Sequence, residues 1–209
     1  MAKMSDPIVP TSVRRVFEGR VFAITVESIR LPKGSLLDAE IVRHPGSAVL
    51  IPVLDNGAIV LVAQYRHAIG RVTWELPAGS VQVGEEPLAA AARECQEEIG
   101  LVPTLLKHVG SLFPTPGYCD EEMHFFAATG LRDPSQGDPA AQQDNDEDIE
   151  TRSFPIDELH RMVSDGTIVD MKTVAGLTLL ADRPTARSRP LGGGKIRGKT
   201  ARKKEPTNG

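Results

Sequence analysis

The chain has 209 residues, enough for one domain with appendages or two small domains. Its net charge of −4 hides two unlike parts: nine basic residues and one acid follow position 182, making a tail of +8 on a body of −12. A hydrophobic content of 40% excludes a wholly disordered chain, no apolar run approaches the roughly 20 residues of a membrane span, and two cysteines, Cys95 and Cys119, exclude a disulfide scaffold and a four-cysteine zinc site. Met1 to Arg15 holds no apolar run of signal-peptide length, so a reduced, cytoplasmic protein is expected.

In chain order, the first ten residues read as a frayed end. Val21 to Val26 is a strand, Leu31 to Ser35 a turn, and Leu36 to Val42 a return strand, together an N-terminal β hairpin. Ala48 to Leu54 and Ala58 to Gln64 flank Asp55-Asn56-Gly57, the strongest hairpin signal in the chain, because Asn-Gly supplies the positive φ angles of a tight turn. Pro87 to Ile99 is the clearest helix: Pro87 suits the first turn, four alanines follow, and Gly100 stops it. Leu105 to Phe113 and Met123 to Thr129 are strands, and Asp133 to Asp148 is a polar loop. Ile156 to Asp165 and Thr173 to Ala181 are helices separated at Gly166. Residues 183–209 have no hydrophobic periodicity and are predicted to be disordered. Strands and helices mix without regular βαβ alternation, which predicts an α+β or layered α/β/α arrangement.

Glu94, Glu97 and Glu98 stand at i, i+3 and i+4, so a helix places all three carboxylates on one face. Taken alone, such a run is a solvated helix face. Its like charges repel unless a cation sits among them, and carboxylate oxygens are ligands for Mg²⁺ or Mn²⁺. The surrounding spacing decides between these readings. Gly79 is followed by five residues, Glu85, seven residues, and then Arg93-Glu94-Cys95-Gln96-Glu97-Glu98-Ile99-Gly100-Leu101. This segment resembles the Nudix box of the Nudix hydrolases at every fixed position. Cys95 replaces the family's usual Leu, Ile or Val, and a buried cysteine packs as a small hydrophobe.

The resemblance implies an α+β fold, a Nudix α/β/α sandwich with a mixed sheet, and divalent-metal hydrolysis of a nucleoside diphosphate linked to another group. It implies that Glu94 and Glu98 bind Mg²⁺, with Mn²⁺ as a substitute. The resemblance also implies that Glu97 is a weaker, shared or outer ligand and the carbonyl of Ala78 a further one. Arg93 and Glu85 are expected to brace the box as an ion pair, and Gly79 and Gly100 to serve the backbone. The flanks Gln64-Tyr65-Arg66, Trp74 to Gly79, Pro114-Thr115-Pro116-Gly117 with Asp120-Glu121, and Gly166 to Ile168 with Asp170, Lys172 and Thr173 resemble the ADP-ribose pyrophosphatase branch. That branch converts ADP-ribose to AMP and ribose 5-phosphate; hydrolases of GDP-mannose or ADP-glucose look similar.

By position, Arg66 is expected to contact a phosphate or ribose, Glu121 the terminal ribose, and Gly117 and Tyr65 the substrate. Tyr65 and Trp74 are each open to a stacking or a core role, and Phe22 is a candidate stacker from a partner subunit. In the acidic loop Glu147 matches the branch's metal ligand or base, while the second acid of some relatives is Asn145 here. The expected divisions are an N-terminal extension over 1–42 that dimerises the chain, the Nudix domain over 43–182 with its box at 79–101, and the tail over 183–209. Other classes remain open. A non-catalytic nucleotide- or RNA-binding module would usually have lost box glutamates, and none is lost. The basic tail suits a nucleic-acid backbone but carries no interleaved aromatic.

Overall fold

The computed structural model describes residues 8–138 and 150–181. Its N-terminal part is an antiparallel sheet of β1 (Ser12–Glu18), β2 (Ala23–Arg30) and β3 (Leu36–Arg43), in that order. The expected hairpin is therefore one strand larger. β1 escapes a pattern reading because every residue of its Ser-Val-Arg-Arg-Val-Phe-Glu run is exposed, so neither face carries a buried apolar row.

Two further sheets build the main body. One, in the order β7-β4-β9-β8, comprises β4 (Ser47–Pro52), β7 (Ala78–Ser80), β8 (Val102–Leu112) and β9 (Met123–Arg132). It is mixed: β4 and β9 run parallel and the other pairs antiparallel. The other, in the order β10-β5-β6, comprises β5 (Ile59–Arg66), β6 (Arg71–Glu75) and β10 (Glu150–Phe154).

The Asn-Gly turn forms, with Leu54 N–H donating to the Ala58 carbonyl at 2.9 Å. Its strands then separate. Only the bridge Val53 to Ile59 joins them before β4 enters one sheet and β5 the other. Gly57 alone carries a positive φ, 81°, so the two-residue turn with two left-handed residues is not the one used. The divergence follows from burial. All of β4 and the first five residues of β5 are buried, so each strand needs partners on both edges and cover on both faces. Pro52 also has no N–H to extend a ladder.

The strand period of two sorts β4 and β9 between two cores. Ala48, Leu50, Phe126 and Ala128 pack with Ala90, Ala91 and Cys95 of α1 (Pro87–Ile99). Val49, Ile51, Phe125 and Ala127 pack with Ile59, Leu61, Leu76 and Phe154, and with Leu159 of α2 (Ile156–Ser164) and Leu177 of α3 (Met171–Ala181). Helix, mixed sheet, and a second sheet with helices are thus the layers of the sandwich. Full burial of one such side chain contributes roughly 1.5–3 kcal/mol. Gly176 lets α3 approach closely, because a Cβ there would lie 2.4 Å from the Leu76 side chain. Helix α1 starts on Pro87 and ends where Gly100, at φ 71°, returns its N–H to the Gln96 carbonyl at 3.1 Å.

Candidate active site

The three box glutamates occupy the middle and end of α1, where Glu94 and Glu98 are buried and Glu97 partly exposed. Strand β7 runs beside them, held on β4 by pairs from Ser47–Ser80 to Val49–Ala78. Ala78 N–H donates to Glu98 Oε2 at 3.1 Å. Gly79 lies so close to Glu94 that a Cβ on it would sit 2.0 Å from the carboxylate. The box glycine therefore makes room for a carboxylate against the strand backbone.

Arg93 organises the cluster. Its Nε and Nη2 each reach a Glu85 oxygen at 3.0 Å, and its Nη1 reaches Glu94 at 2.5 Å and Glu97 at 2.7 Å. Nη2 also donates to the Ser80 carbonyl at 3.1 Å, which ties helix to loop. The Glu85 hydrogen bonds raise the Arg93 guanidinium, and Arg93 in turn lowers the Glu85 carboxyl.

A cleft of about 640 Å³ lies over this cluster. Its walls are Glu94, Glu97, Glu98 and Arg93, the segment from Ala78 to Val83, Arg66 from β5, Pro45, and Arg20 with Val21 from the turn between β1 and β2. Among the described residues no three His, Cys, Asp or Glu side chains already converge on one metal-sized point. The three glutamates on the cleft wall nevertheless offer hard carboxylate oxygens, the donor type that fits Mg²⁺ or Mn²⁺.

Arg66 forks onto Glu75, with Nε donating to Oε1 at 2.9 Å and Nη2 to Oε2 at 2.6 Å. Burial would raise the Glu75 carboxyl. Hydrogen bonds from Arg66, Lys172 and Thr73, with the Lys172 charge, outweigh that and hold it at about 2.

Other expected contacts lie outside this cleft. Glu121 accepts from Ser47 Oγ at 2.5 Å, with His44 Nδ1 at 3.9 Å. Gly117 lies in the turn where the Thr115 carbonyl accepts from Tyr118 and Cys119 N–H. Tyr65 is exposed, its ring 6.3 Å from His67. Trp74 packs edge-on to Phe154 at 5.1 Å, beside the core and under Arg152. Phe22 rests on Phe17, 5.9 Å between ring centres. Glu147, Asn145 and the tail fall outside the described residues. Sequence reasoning missed Arg20, Val21 and Pro45, which no local motif marks; the placement of the N-terminal sheet brings Arg20 and Val21 to the cleft, and Pro45 stands beside Gly46, whose carbonyl accepts from Val81 N–H at 3.0 Å.

The family profile of the NUDIX domain matches residues 44–173, more than half of the chain. The chain belongs to the Nudix family. This Nudix hydrolase, an enzyme acting on diphosphate bonds, is 39% identical over 176 residues to a protein named ADP-ribose pyrophosphatase from Mycobacterium tuberculosis (strain ATCC 25618 / H37Rv), covering 83% of this chain and 84% of that one. It is 35% identical to a methanol dehydrogenase activator from Bacillus methanolicus, over 79% of this chain and 88% of the relative. A crystal structure described as an ADP compounds hydrolase shares the fold at a TM-score of 0.72 and 19% identity, over 86% of this chain and 95% of that one.

Proposed function

We propose that this protein hydrolyses the diphosphate bond of ADP-ribose to AMP and ribose 5-phosphate, using Mg²⁺. The observation that carries the reading is one cleft lined both by the α1 glutamates and by Arg20 and Arg66. Carboxylates hold a hard cation, guanidinium groups meet phosphate oxygens, and a diphosphate substrate needs both. The likeness to the mycobacterial enzyme over most of both chains supports ADP-ribose as the substrate.

Glu94, Glu98, Glu97 and the Ala78 carbonyl would hold the cation, with Arg93 and Glu85 keeping the glutamates in place. When bound, Mg²⁺ neutralises the diphosphate and lowers the pKa of water. Arg66 binds phosphate or ribose oxygens. Glu121, Gly117 and Tyr65 are assigned as further substrate contacts, and Glu147 as the base that takes the proton of the attacking water.

Another nucleoside diphosphate sugar, such as GDP-mannose or ADP-glucose, is the second reading. It is favoured by the same observation, since the charges of the cleft address the diphosphate rather than the base. No described helix is long and apolar enough to cross a membrane. With Cys95 and Cys119 both free thiols, we assign the protein to the cytoplasm, and we assign a homodimer through the N-terminal sheet.

The test is a panel of ADP-ribose, ADP-glucose, GDP-mannose, NADH and diadenosine polyphosphates with Mg²⁺ and with EDTA, reading the phosphate-ester products. ADP-ribose should give the highest kcat/KM, and EDTA should abolish turnover; a clear preference for another compound overturns the substrate. Glu98→Gln should lower kcat by several orders of magnitude while the fold is kept. A fully active Glu98→Gln enzyme overturns the metal assignment.

A further inference from the structure

The stretch Asp170-Met171-Lys172-Thr173 opens helix α3, far from the box in sequence. Asp170 caps the helix: its Oδ2 accepts from Thr173 N–H at 2.9 Å and from the Thr173 hydroxyl at 2.6 Å, and its carbonyl accepts from Val174 N–H. Thr173 Oγ1 in turn accepts from Leu76 N–H at 2.8 Å. A cap needs no lysine between its two members.

Lys172 is placed at a cost. It is buried to 9% exposure, and it stands in the first turn of a helix, where the aligned peptide dipoles disfavour a cation. Two carboxylates offset this: Lys172 Nζ bonds Glu75 Oε2 and lies 3.1 Å from Asp170 Oδ2. Glu75 is itself only 3% exposed and uses both oxygens. Oε1 takes Arg66 Nε and the Thr73 hydroxyl, while Oε2 takes Arg66 Nη2 and Lys172 Nζ. The fork on Glu75 occupies one edge of the Arg66 guanidinium and turns Nη1 away from that carboxylate. The Arg66 side chain keeps 41% exposure and lines the cleft.

We infer that Lys172 is a positioning residue for the substrate's phosphates: acting through Glu75, it holds the Arg66 guanidinium at the cleft wall. This rests on the reading that Arg66 binds the diphosphate. With Lys172, the four-residue group of Glu75, Asp170, Arg66 and Lys172 is charge-balanced. Without it, two carboxylates share one arginine, and Arg66 is drawn onto the buried pair instead of the substrate.

The test is a double-mutant cycle in the full chain with ADP-ribose: wild type, Arg66→Gln, Lys172→Met and the double variant. KM and kcat are read with Mg²⁺, and Kd calorimetrically in EDTA. Lys172→Met should raise KM and Kd about tenfold with kcat within about threefold, and should move them less than about twofold in the Arg66→Gln background. Equal losses in both backgrounds, as a purely structural lysine would give, overturn the inference, and so does an unchanged KM in the single variant. If Lys172→Met does not fold, Glu75→Gln, which keeps the volume, must show the same Arg66-dependent loss, and its absence overturns the inference. A wild type that prefers another nucleotide sugar revises only the substrate, and the cycle is run with that sugar. An Arg66→Gln enzyme with unchanged KM overturns the Arg66 contact and this inference together.

Discussion

Gly79 lacks a side chain because Glu94 needs the space. A methyl group there would meet the Glu94 carboxylate at 2.0 Å, and the far end of a flexible side chain is what gives way. Gly79→Ala should therefore displace the carboxylate rather than the fold. With Glu94 as the metal ligand proposed above, the expected loss is about 10- to 100-fold in kcat/KM, the range for disturbed support of such a ligand, with an unfolding temperature near that of wild type. A variant with unimpaired kinetics would show that Glu94 does not need its present position. Cys95 shows how far the sequence can be read at this scale. It fills an apolar position of the box, is fully buried in the core under α1, and its thiol is pushed up to about 12 by burial alone, which leaves it an inert packing group. The Glu94 and Glu98 positions were legible from spacing. The Arg66 fork on Glu75 was not, because its two members are nine residues apart on paired strands and no helix period connects them.

Elements differ in how well their sequence marks them. Helix α1 has Pro at its start, Gly at its end and alanines between, so its limits follow from local chemistry. Strands β6 and β10 carry no such punctuation; β6 is a strand because Val62 to Arg66 of β5 pairs with it. The joint between β5, β6 and α3 is also where pH should act. Glu75 in the folded chain sits at about 2, below its ordinary value of 4.5. A depressed carboxyl contributes stability that is fully present above about pH 4.5 and is lost as pH falls towards 2. Urea unfolding midpoints should therefore decline over that window in wild type and decline less in Glu75→Gln. Parallel declines would place the acid sensitivity elsewhere.

For the whole molecule, the N-terminal sheet is the part with unfinished packing. Strand β1 is exposed along its length, and Val13, Val16, Phe17, Leu36 and Leu37 are each at least 45% exposed. An open edge strand carrying apolar side chains is normally covered. Sedimentation should show a dimer, and Val16→Asp with Phe17→Asp should give a monomer; a monomeric wild type would remove the assigned homodimer. What the sequence by itself determined is the chemistry: the box glutamates, their glycines and the family follow from residue types at fixed local spacings, because an α-helix turns any i, i+3, i+4 pattern into one face. What only the tertiary structure decided is the company those residues keep. The pairing of β4 with β9, the arrival of Arg20 at the cleft, and the Lys172–Glu75 bond all join segments tens of residues apart. Burial on both faces and the pairing of buried charges select those contacts, and neither leaves a periodic trace along the chain.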